Sequence, residues 1–215
     1  MSNNPLEEAM PYLKKIDHVA YAVAKGNIRK WTWFHTEVEG GKLIKKIDDA
    51  IPHGASSMKI WCIDYGEFGI ALIEGIDRGE KSQVTNFVER HGDHSCQHIA
   101  YDCHDLDCFL DHLRSVGGAT RGEILVQNDG FGQLKQIFAK GYVDGHAGES
   151  QFSEYCERPK SDEKSTEEVN ITFSEKAGQT FYEQVQDAIK VGDHSSLLNF
   201  DHMPLDWEPE VTFSG

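Results

Sequence analysis

HVAYAV, residues 18–23, is written again as HIAYDC, residues 98–103, with a histidine leading each copy. Aligning His18 with His98 lays IDHVAYAV over CQHIAYDC and brings the two halves of the chain into step. A helix-like stretch follows each copy, IRKWTWFHTEV over 28–38 and LDCFLDHLRSV over 106–116. In the second, Leu106, Phe109, Leu110 and Leu113 fall at helical spacing and make a one-sided apolar stripe. Both stretches stop at a glycine pair, Gly40-Gly41 and Gly117-Gly118, where a left-handed cap costs little. Strand-like runs come next: SMKIWCIDYG and FGIALIEGI in the first half, QLKQIFAKGY and ESQFSEYCER in the second. Turn residues separate them at Tyr65-Gly66 and from Gly141 to Gly148. Each half therefore reads strand, helix, then two or three strands, a βαβββ unit used twice over about residues 14–78 and 94–158. A unit of ~60 residues can hardly bury the open face of a curled four-stranded sheet alone, so the two copies should share a core. The expected fold is α+β, a curled, mixed β-sheet half-barrel pair.

Alternate side chains of a strand share a face, so His18, Ala20 and Ala22 point one way, and His98, Ala100 and Asp102 the matching way. A lone histidine at a strand start is more often a hydrogen-bonded core or rim residue than a ligand. Two at equivalent positions of paired sheets point to a shared cup. Glu154, in QFSEYCER, follows His98 at the same interval at which Glu74, in IALIEGI, follows His18. An apolar strand seldom holds a carboxylate unless it is paired or bound to a cation. Two readings follow. Glu74 and Glu154 can lie on outer faces or strand ends against Lys or Arg, or two His and one or two Glu can converge as the ligands of a catalytic divalent metal with open positions.

The remaining features narrow the class. Residues 159–170, PKSDEKSTEEVN, are charged and nearly free of apolar side chains, and read as a linker. Within 171–215, Thr180 and Glu183 form a capping box ahead of FYEQVQDAIK, whose Phe181, Val185, Ala188 and Ile189 share one face. This predicts a C-terminal helix that packs back on the body. His91 and His94, in ERHGDHS, read as solvated loop residues, and His104 and His112 flank a surface helix. Apolar residues at 39% and aromatics at 10% fit a folded globular protein. A net charge of -15 argues against nucleic acid and anionic membrane partners, while one local cation can still dominate a small-molecule pocket. There is no signal pattern or membrane-span window, and the 5 cysteines form no C-x-x-C, so a cytoplasmic protein with reduced thiols is expected.

The doubled unit, with His on its first strand and Glu on its last, resembles the vicinal oxygen chelate superfamily over about residues 14–158. Within that superfamily, KSQVTNFVERHGDHSCQHIAY (81–101), LKQIFAK (134–140) and FSEYCERP (152–159) are similar to segments in the catalytic C-terminal half of 4-hydroxyphenylpyruvate dioxygenases. The helix carrying Phe181 resembles the one that closes over that family's pocket. The resemblance implies a non-haem Fe(II) oxidoreductase, a dioxygenase that takes a 2-oxo acid and O2, and it admits a homodimer. It makes His18, His98 and Glu154 the metal triad, gives Gln97 and Gln136 catalytic positions, and sets Ser57, Phe138 and Phe181 beside the substrate. Three ligands on one face would leave room for the keto and carboxylate oxygens and for O2. The runner-up is a glyoxalase- or epimerase-type isomerase or lyase using Ni, Co, Zn or Mn, with Glu74 as a fourth ligand or a base. The chain departs from the dioxygenase pattern in three ways. The family's N-terminal half has no counterpart in these residues, Thr85 stands in place of a glutamine, and the loop between the last two strands is shorter.

Overall fold

The computed structural model describes residues 11–128, 133–143, 148–159, 175–193 and 195. β1 (Leu13–Val23) leads into α1 (Ile28–Trp33), which widens into a π-helical turn over Phe34–Val38 before β2 (Lys42–Ile47), β3 (Ser56–Asp64) and β4 (Gly69–Asp77). α2 (Gln83–His91) connects this module to the next, which comprises β5 (Ser95–Cys103), α3 (Leu106–Ser115), β6 (Thr120–Asn128), β7 (Gln133–Gly141) and β8 (Phe152–Glu157). α4 (Glu175–Val191) comes last.

All the strands form one 8-stranded sheet in the order β2-β3-β4-β1-β5-β8-β7-β6. The order is the same half written twice about the β1–β5 seam. β1 pairs with β4 and β5 with β8 in parallel, while the seam itself is antiparallel. The chain is thus α+β with a curled mixed sheet, as the repeat implies. Because the first strand of each module lies at the seam, the leading histidines become neighbours.

The apolar run GIALIEGID makes β4 the most continuously buried strand, flanked by α1 and α2, as a parallel-paired central strand requires. α4 spans both modules. Its Ala177, Phe181 and Val185 pack on Phe138 and Phe152, while Tyr182 joins the core of the first module. The Tyr182 hydroxyl lies 2.9 Å from Ser56 Oγ and 3.1 Å from Ser82 Oγ. Gly178 permits this approach, since a Cβ there would collide with Ile60 Cδ1.

Three expectations need correction. The last helix begins at Glu175, so Thr180 and Glu183 lie in its interior, and Glu183 accepts from Gln179 Nε2 at 3.2 Å instead of closing a cap. Burial of Ala177 one turn earlier favours the longer helix. α2 was not expected. Its start is marked by Ser82, whose side chain accepts from the Val84 N–H, and its inner face by the buried Val84 and Phe87. His94 is not simply solvated, as described below. Gly40 and Gly117 do take positive φ, 78° and 84°. The linker beyond Pro159 and the tail beyond Ser195 lie outside the described residues. All 5 cysteines are unpaired, and no helix of the described residues is long and apolar enough to cross a membrane.

Candidate metal centre

Across the seam, His18 pairs with Ala100 and Ala20 with His98, so the two imidazoles sit diagonally on one face. The ladder slips three times, between Leu13 and Lys15, between Ile16 and His18, and between Ala20 and Tyr21, where Gln97 is the extra residue opposite; the last two flank the histidines. These bulges turn Asp17 and Gln97 back beside the histidines that follow them. His18 Nδ1 donates to Asp17 Oδ1 at 2.8 Å, and His98 Nδ1 to Gln97 Oε1 at 3.2 Å. Each bond turns the ring so that Nε2 faces Glu154.

Glu154 stands level with Ala100 on β8. Its Oε2 lies 3.4 Å from His18 Nε2 and 3.5 Å from His98 Nε2. Its Oε1 accepts from Gln136 Nε2 at 2.7 Å, and Gln136 Oε1 accepts from Gln127 Nε2 at 3.2 Å. All three residues are buried, and their ligand atoms lie within 4.8 Å of one another. On the far side, Asp17 is gripped by Arg158 through Nε at 2.8 Å and Nη2 at 2.9 Å.

The electrostatics follow from this arrangement. Burial of His18 opposes its charge, but the Glu154 and Asp17 carboxylates outweigh it and lift the pKa to about 9. Burial would raise Glu154, yet His18 and His98 hold it down at about 2. His98 is pushed down by burial against the pull of Glu154, and the charge on His18 adds to the effect. Asp17 stays well below the usual carboxylate range; burial resists, while His18 and Arg158 prevail. The buried Glu154 carboxylate therefore favours positive charge between itself and the two imidazoles. Two neutral-capable nitrogens, one carboxylate oxygen and held outer partners fit a divalent ion.

Around the triad lies a cavity lined by Gln97, Gln136, Phe138 and Phe181 as well as by the triad itself. Phe181 stacks on Phe138 with centroids 3.8 Å apart. The first module contributes Ile47, Met58, Ile60, Ala71 and Ile73. Two of the expected residues lie elsewhere. Ser57 is not in the lining; its Oγ accepts from the Ile51 N–H at 2.8 Å and holds the loop before β3. Met58 and Ile60 have the parity that faces the cup, and Ser57 has the other.

Glu74 is the second correction. The connection from His98 to its rung-mate Phe152 is three residues longer than that from His18 to Gly69, so equal sequence intervals do not give equal register. The ladder counterpart of Glu154 is Ala71, opposite Ala20, while Glu74 lies opposite Val23. Glu74 is buried but paired with Lys59 Nζ at 2.5 Å, and it accepts the N–H groups of Gly26 at 2.9 Å and Ile28 at 3.1 Å. It is not at a turn and not a fourth ligand; it caps α1.

Sequence reasoning also missed Gln83 and Tyr182, which line the cavity, and Asp17 and Arg158, which pair beside His18. The Ser82 cap was the available signal for Gln83, and adjacency to His18 the one for Asp17. His94 is half-buried, stacked against Trp31 at 3.9 Å and Tyr21 at 4.4 Å, with its Nε2 2.9 Å from His35 Nε2. His91 is exposed, as expected.

The paired modules, the seam histidines and the carboxylate on the last strand define the vicinal oxygen chelate fold, and the chain has it. In sequence it is similar to 4-hydroxyphenylpyruvate dioxygenase from Pseudomonas sp. (strain P.J. 874), 28% identical over 105 residues, which is 49% of this chain and 29% of that protein. A mutant 4-hydroxymandelate synthase from Streptomyces coelicolor superposes with a TM-score of 0.66 at 19% identity, covering 81% of this chain and 54% of that one. A xylose isomerase-like TIM barrel/4-hydroxyphenylpyruvate dioxygenase fusion protein gives 0.57 at 14% identity, over 84% of this chain and 30% of its own. The chain therefore spans less than a third of the curated relative it matches and about half of the synthase. No family model matches it.

Proposed function

We propose that the chain is a non-haem Fe(II) dioxygenase acting on a 2-oxo acid. The observation that carries this reading is the buried set of His18, His98 and Glu154, in which one carboxylate oxygen faces both imidazoles and the other is tied to Gln136. Two His and one carboxylate with open positions is the donor set of Fe(II) oxygenases. Fe(II), when bound there, would supply the one-electron chemistry toward O2 that Zn(II) lacks.

The chain's own groups do the rest. Asp17 and Gln97 hold the imidazole Nδ1 sides, so both Nε2 atoms point toward Glu154. Gln136 keeps Glu154 turned, and the stacked Phe138 and Phe181 rings give the cup an apolar wall. The likeness to dioxygenase sequences supports the same chemistry. The engagement of Glu74 with Lys59 and the start of α1 weighs against the isomerase reading with Glu74 as a fourth ligand.

The test is to load the metal-free protein with Fe(II) under anaerobic conditions, add 2-oxo acids and then admit O2. A visible chelate band followed by O2 consumption with release of CO2 is expected. A protein loaded with Fe(II) that shows neither the band nor O2 uptake with any 2-oxo acid is not this enzyme. Parallel loading with Ni, Co, Zn or Mn should leave O2 unconsumed.

A further inference from the structure

We propose that Arg121 is the centre of an oxyanion-binding site outside the metal cavity, where β6 meets α4, and that it takes the carboxylate or phosphate group of a small molecule. Arg121 is 8% exposed, and its Nε and Nη1 are buried without a hydrogen-bond partner. It does not line the metal cavity. A guanidinium keeps its charge at any working pH, so it cannot relieve this burial by losing a proton. A buried charge without a partner is among the most costly features a fold can keep. Arg158, also largely buried, shows the contrast: its fork grips Asp17 through Nε and Nη2. Arg121 presents the same fork with no carboxylate in it.

The strand is irregular at this side chain. β6 and β7 pair at Arg121–Phe138 and next at Leu125–Gln136, so β6 carries extra residues between the two rungs. A bulge of this kind re-aims the side chains around it. Gly122, inside the bulge, takes a φ of 60° and lies against Gln184 of α4, whose amide a Cβ there would strike. Gln184 Oε1 is itself buried without a partner. Unmet donors on β6 and an unmet acceptor on α4 thus meet at one glycine. The neighbouring acid is committed elsewhere. Asp193 is the carboxylate whose charge acts on Arg121, yet its Oδ1 accepts the Ser195 N–H at 3.1 Å and hydroxyl at 2.6 Å. Its Oδ2 lies 3.1 Å from Lys140 Nζ, which pairs that cation as well. An oxyanion would meet the Arg121 fork through parallel N–H bonds, and a P–OH group on it could donate to Gln184 Oε1. The net charge of -15 repels anions in general, so one that stays here is held by this fork. Its binding would fasten the helix that carries Phe181 to the edge strand.

The experiment titrates the full chain with sodium phosphate and, separately, with sodium formate, in chloride buffer at constant ionic strength. Calorimetry reads the affinity, and the melting temperature is followed in the same solutions. The wild type should bind at least one of the two anions. Binding of phosphate points to a phosphoryl ligand, and binding of formate alone to a carboxylate. At about tenfold over its Kd, the anion should raise the melting temperature by about 3–6 °C. Arg121→Met keeps most of the length and removes the charge, so it should weaken this binding by about 10- to 100-fold. In chloride buffer alone the variant should melt no lower than the wild type, because a buried unpaired charge is gone. A wild type that binds neither anion overturns the site, and so does equal binding by wild type and variant. A variant that melts below the wild type without added anion, or fails to fold, overturns it too, since Arg121 would then already have its partner within the chain.

Discussion

Gln136 Nε2 donates to Glu154 Oε1 at 2.7 Å, and this bond leaves Oε2 as the oxygen that faces both histidines. The amide cannot turn over freely, because Gln127 Nε2 donates to its oxygen at 3.2 Å. A carboxylate held this way offers one oxygen to an ion with little reorganisation. Gln136→Leu keeps the bulk and removes the bond. It should weaken metal binding by about 10- to 100-fold with the fold intact. Competition against a chromophoric chelator reads the affinity, and circular dichroism checks the fold.

Asp17 and Arg158 form a fork-shaped pair beside His18, both largely buried. Removing only the cation strands a buried carboxylate, so Arg158→Met should cost about 3–5 kcal/mol. Adding Asp17→Asn removes the stranded charge and keeps an oxygen for the His18 Nδ1–H. The double variant should therefore be more stable than Arg158→Met alone, as measured by urea unfolding at neutral pH. Equal midpoints for the two variants would mean that the pair does not act as a unit.

His94 joins the turn after α2 to the corner between β1 and α1. It faces Tyr21, Trp31 and His35 directly, and Asp93, Glu39 and Lys30 through their charges. Burial lowers its pKa, and the neighbouring His35 lowers it further, against the pull of Asp93 and Glu39. The unfolded chain then takes up a proton at higher pH than the folded one. The stabilisation is fully present above the unfolded value of about 6.5 and is lost as pH falls through the folded value. Its φ of 60° is one that asparagine tolerates, so His94→Asn is the suitable variant. Between pH 7.5 and pH 5, the melting temperature of the wild type should fall more steeply than that of the variant, on the order of one proton's worth of linkage.

The fold was legible because the repeat is long and its strands keep their period: HVAYAV and HIAYDC had to be equivalent, and equivalence set them at a seam. His18, His98 and Glu154 came together because each lies on a strand whose parity faces the cup. What could not be read was register. The spacing that matched Glu74 to Glu154 counted residues along loops of different length, and the ladder placed Ala71 there instead. Ser57 failed on parity, one residue from Met58. The bulges that aim Asp17 and Gln97 are set by pairing between modules and leave no local mark in either strand.

Glu74 and Glu154 then make a direct comparison, since both are buried carboxylates on the strand that pairs in parallel with a histidine strand. Glu154→Gln takes away one of three proposed ligands and should abolish stoichiometric metal binding. Glu74→Ala removes the partner of Lys59 and the acceptor for the Gly26 and Ile28 N–H groups. It should cost about 1–3 kcal/mol, because two backbone donors at the start of α1 lose their partner. Metal stoichiometry and affinity should stay at wild-type level in the folded fraction. Elemental analysis of the purified variants, alongside their urea midpoints, separates the two roles. A Glu74→Ala protein that folds but no longer holds metal would return Glu74 to the centre and revive the four-ligand isomerase.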